Sequence, residues 1–182
     1  NRPASRDAAS TKAKFYPSFG TFAPASIPYR VRYAQTWTGN SSVEAKTVAT
    51  MIEALTEARQ FYAAYVVGQA KIDDRSLFDA FNKIPREEFC GPGPWKIHTE
   101  GGYIETPSDD PRYLYQDILI AIDASRGVNN GQPSLHARSL ASVGPRPGER
   151  VLHIGAGTGY YSAILAALVG PSGHVEAREI DA

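Results

Sequence analysis

Three glycines separated by single residues follow a short apolar run towards the C-terminal end of the chain. Residues 151–168 read VLHIGAGTGYYSAILAAL, with Gly155, Gly157 and Gly159 between the apolar run and a helical pattern. The run follows a Pro/Gly turn and is typical of a parallel strand buried on both faces. Glycine lets the backbone turn sharply and lets a ligand approach the main chain without an intervening Cβ. We therefore predict a strand, a tight loop and a helix whose free N–H groups face a carboxylate or phosphate.

The spacing of the glycines separates two classes of ligand. A dinucleotide site typically has GxGxxG, with its third glycine where this chain has Tyr160, so the spacing disfavours NAD. In an S-adenosylmethionine site, an acidic residue at the end of the next strand accepts hydrogen bonds from the ribose hydroxyls. Glu179 lies twenty residues after Gly159, at the end of the strand candidate HVEAREID. We therefore predict S-adenosyl-L-methionine as the cofactor.

Composition and charge argue against several other functions. The chain has 19 basic and 19 acidic residues, which gives no electrostatic reason to expect nucleic acid or a membrane surface as partner. No apolar stretch approaches the roughly 18 residues of a membrane-spanning helix. The single cysteine, Cys90, can form no internal disulfide and supplies no metal cluster. We expect a cytoplasmic protein without a metal site.

Upstream of the glycines, the pattern alternates between helices and irregular segments. Residues 1–40 contain four prolines without periodicity and predict an irregular arm. Residues 41–68 carry one apolar stripe with capping-box spacing at the start, and residues 75–83 predict a second helix capped by Asp74. A further helix is expected to begin at Pro133, with Leu135, Leu140 and Val143 on a shared face.

Two segments between these helices give weaker signals. Residues 85–111 hold five prolines and four glycines, which predicts a tethered surface loop without long regular elements. Residues 115–122 are mostly apolar and are expected to be extended. In the last strand candidate, Glu176 and Arg178 alternate on one face, so either they pair with each other or that face is open.

Four blocks of the sequence, in order, resemble the protein-L-isoaspartate O-methyltransferase family of class I S-adenosylmethionine-dependent methyltransferases. FDAFNKIPREEF begins at Phe78, YQDILIAI at Tyr115 and NGQPSLHA at Asn130, and the fourth block is PGERVLHIGAGTGYYSAILAALVGPSGHVEAREID. The blocks cover roughly residues 75–182. Four blocks in family order are far more specific than a glycine loop alone.

The resemblance implies an α/β, Rossmann-like class I methyltransferase fold in which only the first strands of the sheet are present. Together with the local patterns above, it divides the chain into an irregular arm (1–40), for which no resemblance is found, a helical and loop lead-in on the substrate side (41–144) and the incomplete start of the cofactor domain (145–182). A sheet of two parallel strands leaves main-chain N–H and C=O groups unpaired at both edges and apolar side chains exposed on its faces. We therefore expect further strands from a longer enzyme, or self-association that completes the sheet.

The resemblance also implies roles for individual residues in methyl transfer to a carboxylate of a protein or peptide. Glu179 would bind the ribose of the cofactor and Gln132 and His136 would lie beside the cofactor. The glycine loop would cradle its methionine end through Gly155, Ala156, Gly157, Gly159 and Tyr160. Asn130, Gly131 and Pro133 would line the acceptor side. No catalytic acid or base is implied, because the carboxylate is already ionised at neutral pH.

One departure from the family pattern leaves the acceptor open. The family usually has a serine before Gln-Pro, and this chain has Gly131 there. An isoaspartyl carboxylate, a different carboxylate and a non-catalytic binding or assembly role are therefore all kept as hypotheses. If the missing hydroxyl changed the acceptor, replacing Gly131 by serine would be expected to raise turnover of isoaspartyl substrates.

Overall fold

The computed structural model describes residues 42–180, with side-chain environments from residue 46 onwards. The expected arm, residues 1–40, lies outside the described residues. In the described part, four α-helices span Ser42–Gln69 (α1), Arg75–Lys83 (α2), Pro133–Val143 (α3) and Tyr160–Val169 (α4). Six short strands span Lys96–Thr99 (β1), Gly102–Glu105 (β2), Ala121–Asp123 (β3), Val128–Asn129 (β4), Arg150–Ile154 (β5) and His174–Arg178 (β6).

The core lies where the C-terminal half of α1 meets α2, α3 and α4. Tyr62 and Val66 of α1 and Phe81 of α2 are fully buried there. The first half of α1 extends away from this core, so Ile52, part of the apolar stripe, is 43% exposed and Met51 is 61% exposed. Within residues 42–180, no helix combines the length and apolar character needed to cross a membrane.

The glycine motif connects two parallel strands, as its sequence predicts. β5 pairs with β6 in parallel, with Val151 opposite Val175 and His153 opposite Ala177. That face packs against α4, whereas the other face carries Leu152 and Ile154, which are 55% and 76% exposed. The expectation that the strand is buried on both faces is therefore wrong for the described residues, because nothing among them covers the second face.

Glu176 and Arg178 lie on this open face, and both expectations for them are confirmed. The Arg178 guanidinium donates to the Glu176 carboxylate, with Nε 2.7 Å from Oε1. Their side chains keep 39% and 60% exposure. Pairing in a partly solvated position avoids the cost of an isolated buried charge.

The helix predictions are confirmed at α2 and partly corrected at α3. The Asp74 side chain accepts from the N–H groups of Ser76 and Leu77, so it caps α2 as predicted. α3 begins at Pro133, but Leu135 and Val143 are 57% and 71% exposed. Leu140 is buried as expected, and it shares the buried side of α3 with Pro133, Ser134 and Ala137.

The two segments with weaker signals differ from expectation. Within residues 85–111, β1 and β2 form an antiparallel hairpin with Lys96 opposite Glu105, so this segment is more regular than a loop. Residues 115–122 are largely irregular, because fully buried Arg86 draws three main-chain carbonyls towards its guanidinium. Arg86 donates to the oxygens of Leu114, Gln116 and Ile118 at 2.6, 2.8 and 2.9 Å.

Candidate functional site

The glycine loop between β5 and α4 bends over the end of β6. Gly155, Gly157 and Gly159 have φ of 75°, 55° and 92°, in the left-handed region that a side chain disfavours. The N–H groups of Gly155 and Ala156 both donate to the carbonyl of Arg178, at 2.8 and 3.1 Å. The loop is therefore fixed to the neighbouring strand by main-chain hydrogen bonds.

These bonds decide which atoms of the loop remain for a ligand. The N–H groups of Gly155 and Ala156 are used by Arg178, and that of Gly159 donates to Ala156 at 2.9 Å. Gly155 and Ala156 therefore have no N–H group left for a ligand, and open space beside the main chain is shown at Gly155, where a Cβ would meet no atom within 4 Å. Thr158 and the first turn of α4 supply N–H groups without main-chain acceptors, since the first N–H groups of a helix have no acceptor within it.

The Glu179 carboxylate lies against the same loop. Its Oε2 accepts from the N–H of Gly157 at 2.6 Å, and its Oε1 accepts from the N–H of Ile180 at 2.7 Å. The structure thus brings the acidic strand end and the glycine loop together. Ribose binding by Glu179 stays a prediction.

Tyr160 is placed differently from the other loop residues. Its ring is 2% exposed and packs against Phe81 and Phe89 in the core, with centroid separations of 6.3 and 5.6 Å. The Tyr160 side chain therefore faces away from the loop surface, and only its main chain remains for a cofactor. The residue that presents an aromatic ring towards the predicted acceptor side is its neighbour, Tyr161.

Sequence reasoning gave no role to His153, in the middle of β5. Its Nδ1 lies 2.8 Å from Oγ of fully buried Ser162 on α4, so this pair joins the strand to the helix on either side of the loop. Burial lowers the pKa of His153, and the nearby negative charge of Glu179 only partly opposes this. The sequence feature that could have pointed to His153 is a histidine at an inward-facing position of an otherwise apolar strand.

Residues 130–133, predicted to lie beside the cofactor or to line the acceptor side, are called the wall below, and contacts from the irregular segment before them hold them in place. Asn130 Oδ1 accepts from the N–H of Ile120 at 2.9 Å. Asp117 accepts from the N–H of Ser134 at 2.8 Å and from the Gln132 amide at 3.1 Å. Asp117 therefore orients the start of α3, a role that sequence reasoning missed although the residue lies within one of the resembling blocks.

Tyr161 links this wall to the glycine loop. Its ring stacks on the His136 imidazole, with centroids 3.7 Å apart and planes 11° from parallel. Its hydroxyl donates to the carbonyl of Gly131 at 3.4 Å. Burial lowers the pKa of His136 to about 4, assisted by repulsion from the His153 ring when that ring is protonated and from the Arg86 guanidinium. Gly131, His136 and Tyr161 thus form one contiguous group beside the loop, with an uncharged imidazole at neutral pH.

Comparison with known proteins gives one consistent result. Residues 64–180 match the family model described as protein-L-isoaspartate(D-aspartate) O-methyltransferase. The protein-L-isoaspartate O-methyltransferase of Thermotoga maritima is 37% identical over 102 residues, which cover 55% of this chain and 27% of that protein. The enzyme of Aeropyrum pernix is 32% identical over 108 residues, covering 59% and 35%. That of Ignicoccus hospitalis is 28% identical over 110 residues, covering 60% and 44%.

A solved structure agrees with the sequence relatives. A protein-L-isoaspartate O-methyltransferase superposes with a TM-score of 0.50 at 31% identity, covering 66% of this chain and 33% of that one. The Rossmann-like methyltransferase fold, partial in this chain, is thereby confirmed. The chain spans less than half the length of each of these relatives. Because the family model matches more than half of the chain, the chain belongs to the protein-L-isoaspartate(D-aspartate) O-methyltransferase family.

Proposed function

We propose that the protein is an S-adenosyl-L-methionine-dependent O-methyltransferase that methylates the side-chain carboxylate of an isoaspartyl residue in a protein or peptide. The observation that carries the proposal is the family match over residues 64–180, which includes the glycine loop, Glu179 and the wall at 130–133. In this proposal residues 41–144 form the acceptor side and residues 145–182 begin the cofactor side.

The loop residues fit the cofactor. A Cβ built on Gly155 meets no atom within 4 Å, so open space lies directly beside the main chain there. The carboxylate of Glu179 borders this space through its contact with Gly157. In the proposal Glu179 binds the ribose, and the methionine end lies along residues 155–160. When bound, this cofactor supplies a methyl group on a positively charged sulfur.

Charge around the site supports a mechanism without acid–base catalysis. The acceptor carboxylate is already a nucleophile at neutral pH, so the chain needs mainly to orient the reactants and exclude water. His136 and His153 both have lowered pKa values, so neither places a positive charge beside a sulfonium. Asp117 fixes the wall against which the acceptor would lie.

A different carboxylate acceptor is the second candidate, motivated by Gly131 at the position where the family usually has serine. The space next to Gly131 is filled by the His136 ring. The expected gain in isoaspartyl turnover on replacing Gly131 by serine therefore no longer follows from the missing hydroxyl alone, because the new side chain would collide with His136. A binding or assembly role without catalysis would retain the fold but produce no methyl ester.

The proposal includes a cytoplasmic location. Cys90 is the only cysteine, and it is a free thiol. Burial raises the pKa of this thiol to about 11, so it stays protonated and unreactive. Such a protein needs no oxidising compartment.

The test uses the full-length gene product with radiolabelled S-adenosylmethionine and an isoaspartyl peptide. We expect a base-labile methyl ester on the isoaspartyl peptide and none on the matched aspartyl peptide. Ester on other carboxylates alone would favour the second candidate. Binding of S-adenosylhomocysteine in calorimetry without any ester would favour a non-catalytic role.

A further inference from the structure

A second row of apolar residues lies on α1 beside the residues that this helix buries in the core. Met51, Ala54, Ala58, Phe61 and Tyr65 recur at intervals of three and four residues, which places them on one side of the helix. We call these five residues the outer row. Phe61 is 69% exposed and Tyr65 is 43% exposed, and their rings stack with centroids 6.1 Å apart. The described part of the chain thus leaves large apolar side chains of the outer row open to solvent.

The fold shared with the family does not account for the outer row. The family match begins at residue 64, so every member of the row except Tyr65 precedes it. A contiguous exposed apolar patch on a folded protein typically marks a surface that binds another segment or another molecule. We therefore looked for a cover that is particular to this chain.

The sequence directly before α1 contains a segment of matching character. Residues 29–37, which lie outside the described residues, read YRVRYAQTW. Its large apolar side chains occupy alternate positions: Tyr29, Val31, Tyr33 and Trp37. Such alternation is typical of an extended segment with one apolar face. Gly39 and Asn40, which favour turns, stand between this segment and Ser42, where α1 begins. The sequence thus predicts a segment that can turn back and run along α1.

Chain geometry brings the aromatic residues of the segment to those of the outer row. An extended chain rises about 3.3 Å per residue and a helix about 1.5 Å, so each residue of a returning segment passes about two residues of α1. With Trp37 beside the first turn of α1, Tyr33 reaches the neighbourhood of Met51, and Tyr29 reaches that of Phe61. The length of chain between residue 29 and α1 therefore suits the length of the outer row.

Charge agrees with the same register. Arg30 and Arg32, on either side of Val31 in the sequence, would pass the middle of the outer row, where Glu53 and Glu57 are exposed. Glu57 lies one turn before Phe61 and adjoins it on the helix surface. Neither glutamate forms an ion pair with any residue from 46 to 180. Two arginines would thus meet two carboxylates at the border of the apolar contact.

From these observations we infer that residues 29–37 fold back along α1 and cover the outer row, with the tyrosines on its apolar side chains and the arginines beside Glu53 and Glu57. The first half of α1 extends away from the core, and most of the stability of a helix comes from tertiary packing. Residues 29–37 supply that packing. This interaction goes beyond the proposed methyl transfer and does not depend on it.

The first experiment tests proximity in the full-length gene product. Tyr33→Cys is combined with Ala54→Cys in the outer row, and the protein is treated with a short bismaleimide. The control combines Tyr33→Cys with Thr56→Cys, because Thr56 is exposed at nearly the same height of α1 but on the opposite side of the helix. We expect a cross-link within one chain for the first pair and not for the control, detected by peptide mass spectrometry. No cross-link, or equal cross-linking of both pairs, would overturn the inference. A cross-link found only between two chains would assign the outer row to a second copy and would overturn it as well.

The second experiment measures energetic coupling by thermal denaturation of the full-length gene product. Tyr29→Ser is compared in the wild-type, Phe61→Ser and Val143→Ser backgrounds, and Val143 is the control because it is an exposed apolar residue on α3. We expect Tyr29→Ser to lower Tm by several degrees in the wild-type and Val143→Ser backgrounds and by clearly less in the Phe61→Ser background, where its partner is missing. The same loss in all three backgrounds, or no loss in any, would refute the inference. Neither experiment measures methyl transfer, so failure of this inference and failure of the proposed function are distinguishable.

Discussion

At the scale of single residues, Gly157 joins the glycine loop to Glu179 in a place where a Cβ would contact Ile122, whose Cδ1 lies 3.4 Å from that position. The φ of 55° at Gly157 disfavours any side chain, and its N–H contacts Glu179. A substitution there combines backbone strain with obstruction of the predicted cofactor surface, so the two effects must be separated by a control at another left-handed glycine.

Gly157→Val is expected to weaken S-adenosylhomocysteine binding by at least about tenfold, or about 1.4 kcal/mol. Gly91→Val is the control, because Gly91 has φ of 67° and a Cβ there meets nothing within 4 Å. Both variants should lose stability through backbone strain, but only the first should lose affinity in calorimetry. Equal affinity in the two variants would remove the glycine loop from the cofactor site.

Arg86 is the largest fully buried side chain, and no carboxylate pairs with it among the described residues. Three carbonyls and the rings of Tyr62 and Tyr160, 5.6 and 5.9 Å from its guanidinium carbon, compensate for its charge. The guanidinium thereby determines the path of residues 114–118, including Asp117.

Arg86→Met should therefore lower the free energy of unfolding by about 3 kcal/mol or more, since it strands buried carbonyls. Arg75→Met is the control: Arg75 forms an i,i+4 pair with Asp79 at 82% side-chain exposure, and its loss should cost under about 0.5 kcal/mol. Urea denaturation measures both. A similar, small cost for the two variants would contradict this account of the core.

At the scale of elements, an aspartate carboxylate accepts from N–H groups at the start of both α2 and α3, but the two aspartates lie at different distances in sequence. Asp74 caps α2 from the adjacent position in sequence, whereas Asp117 binds the N–H of Ser134 near the start of α3 from 17 residues away. The distant aspartate also binds Gln132, so it couples the helix start to the wall.

Asp117→Ala and Asp74→Ala should each destabilise the protein by about 1 kcal/mol, as expected for loss of an N-terminal cap. Of the two variants, only Asp117→Ala should also raise KM for the methyl acceptor, because Asp117 contacts the wall and Asp74 does not. Denaturation and steady-state kinetics on the same samples separate the two effects. A KM change of the same size in Asp74→Ala would show that the effect is general instability.

The same elements show what sequence can and cannot predict. The glycine loop, the capped α2 and the parallel pairing of β5 with β6 follow from local patterns, because each depends on residues close in sequence. The course of residues 114–118 depends on Arg86, and the positions of Gly131 and His136 depend on Tyr161 from another helix. Contacts between distant segments leave no periodic pattern in the sequence. The arrangement of Gly131, His136 and Tyr161 was therefore not predictable from it.

At the scale of the molecule, the two-stranded sheet of β5 and β6 is incomplete within the described residues. One face carries exposed Leu152 and Ile154, and each strand has one edge without a partner there. Sheets of two strands are marginal without further cover. The sheet therefore needs additional structure, from the same polypeptide or from another copy.

Residues 1–182 expressed by themselves are expected to associate as their concentration rises, through this face and edge. Leu152→Lys should reduce the association, whereas Val143→Lys, at an exposed position on α3, should not. Sedimentation velocity measures both. A monomer at all concentrations, or equal effects of the two lysines, would contradict self-association through the sheet.

One carbonyl oxygen, that of Arg178, accepts the N–H groups of both Gly155 and Ala156. The bend is thus preorganised before any nucleoside arrives, and little conformational entropy remains to be lost there on docking. We therefore expect the association rate constant of the methyl donor to be limited by diffusion, because the loop does not have to become ordered first.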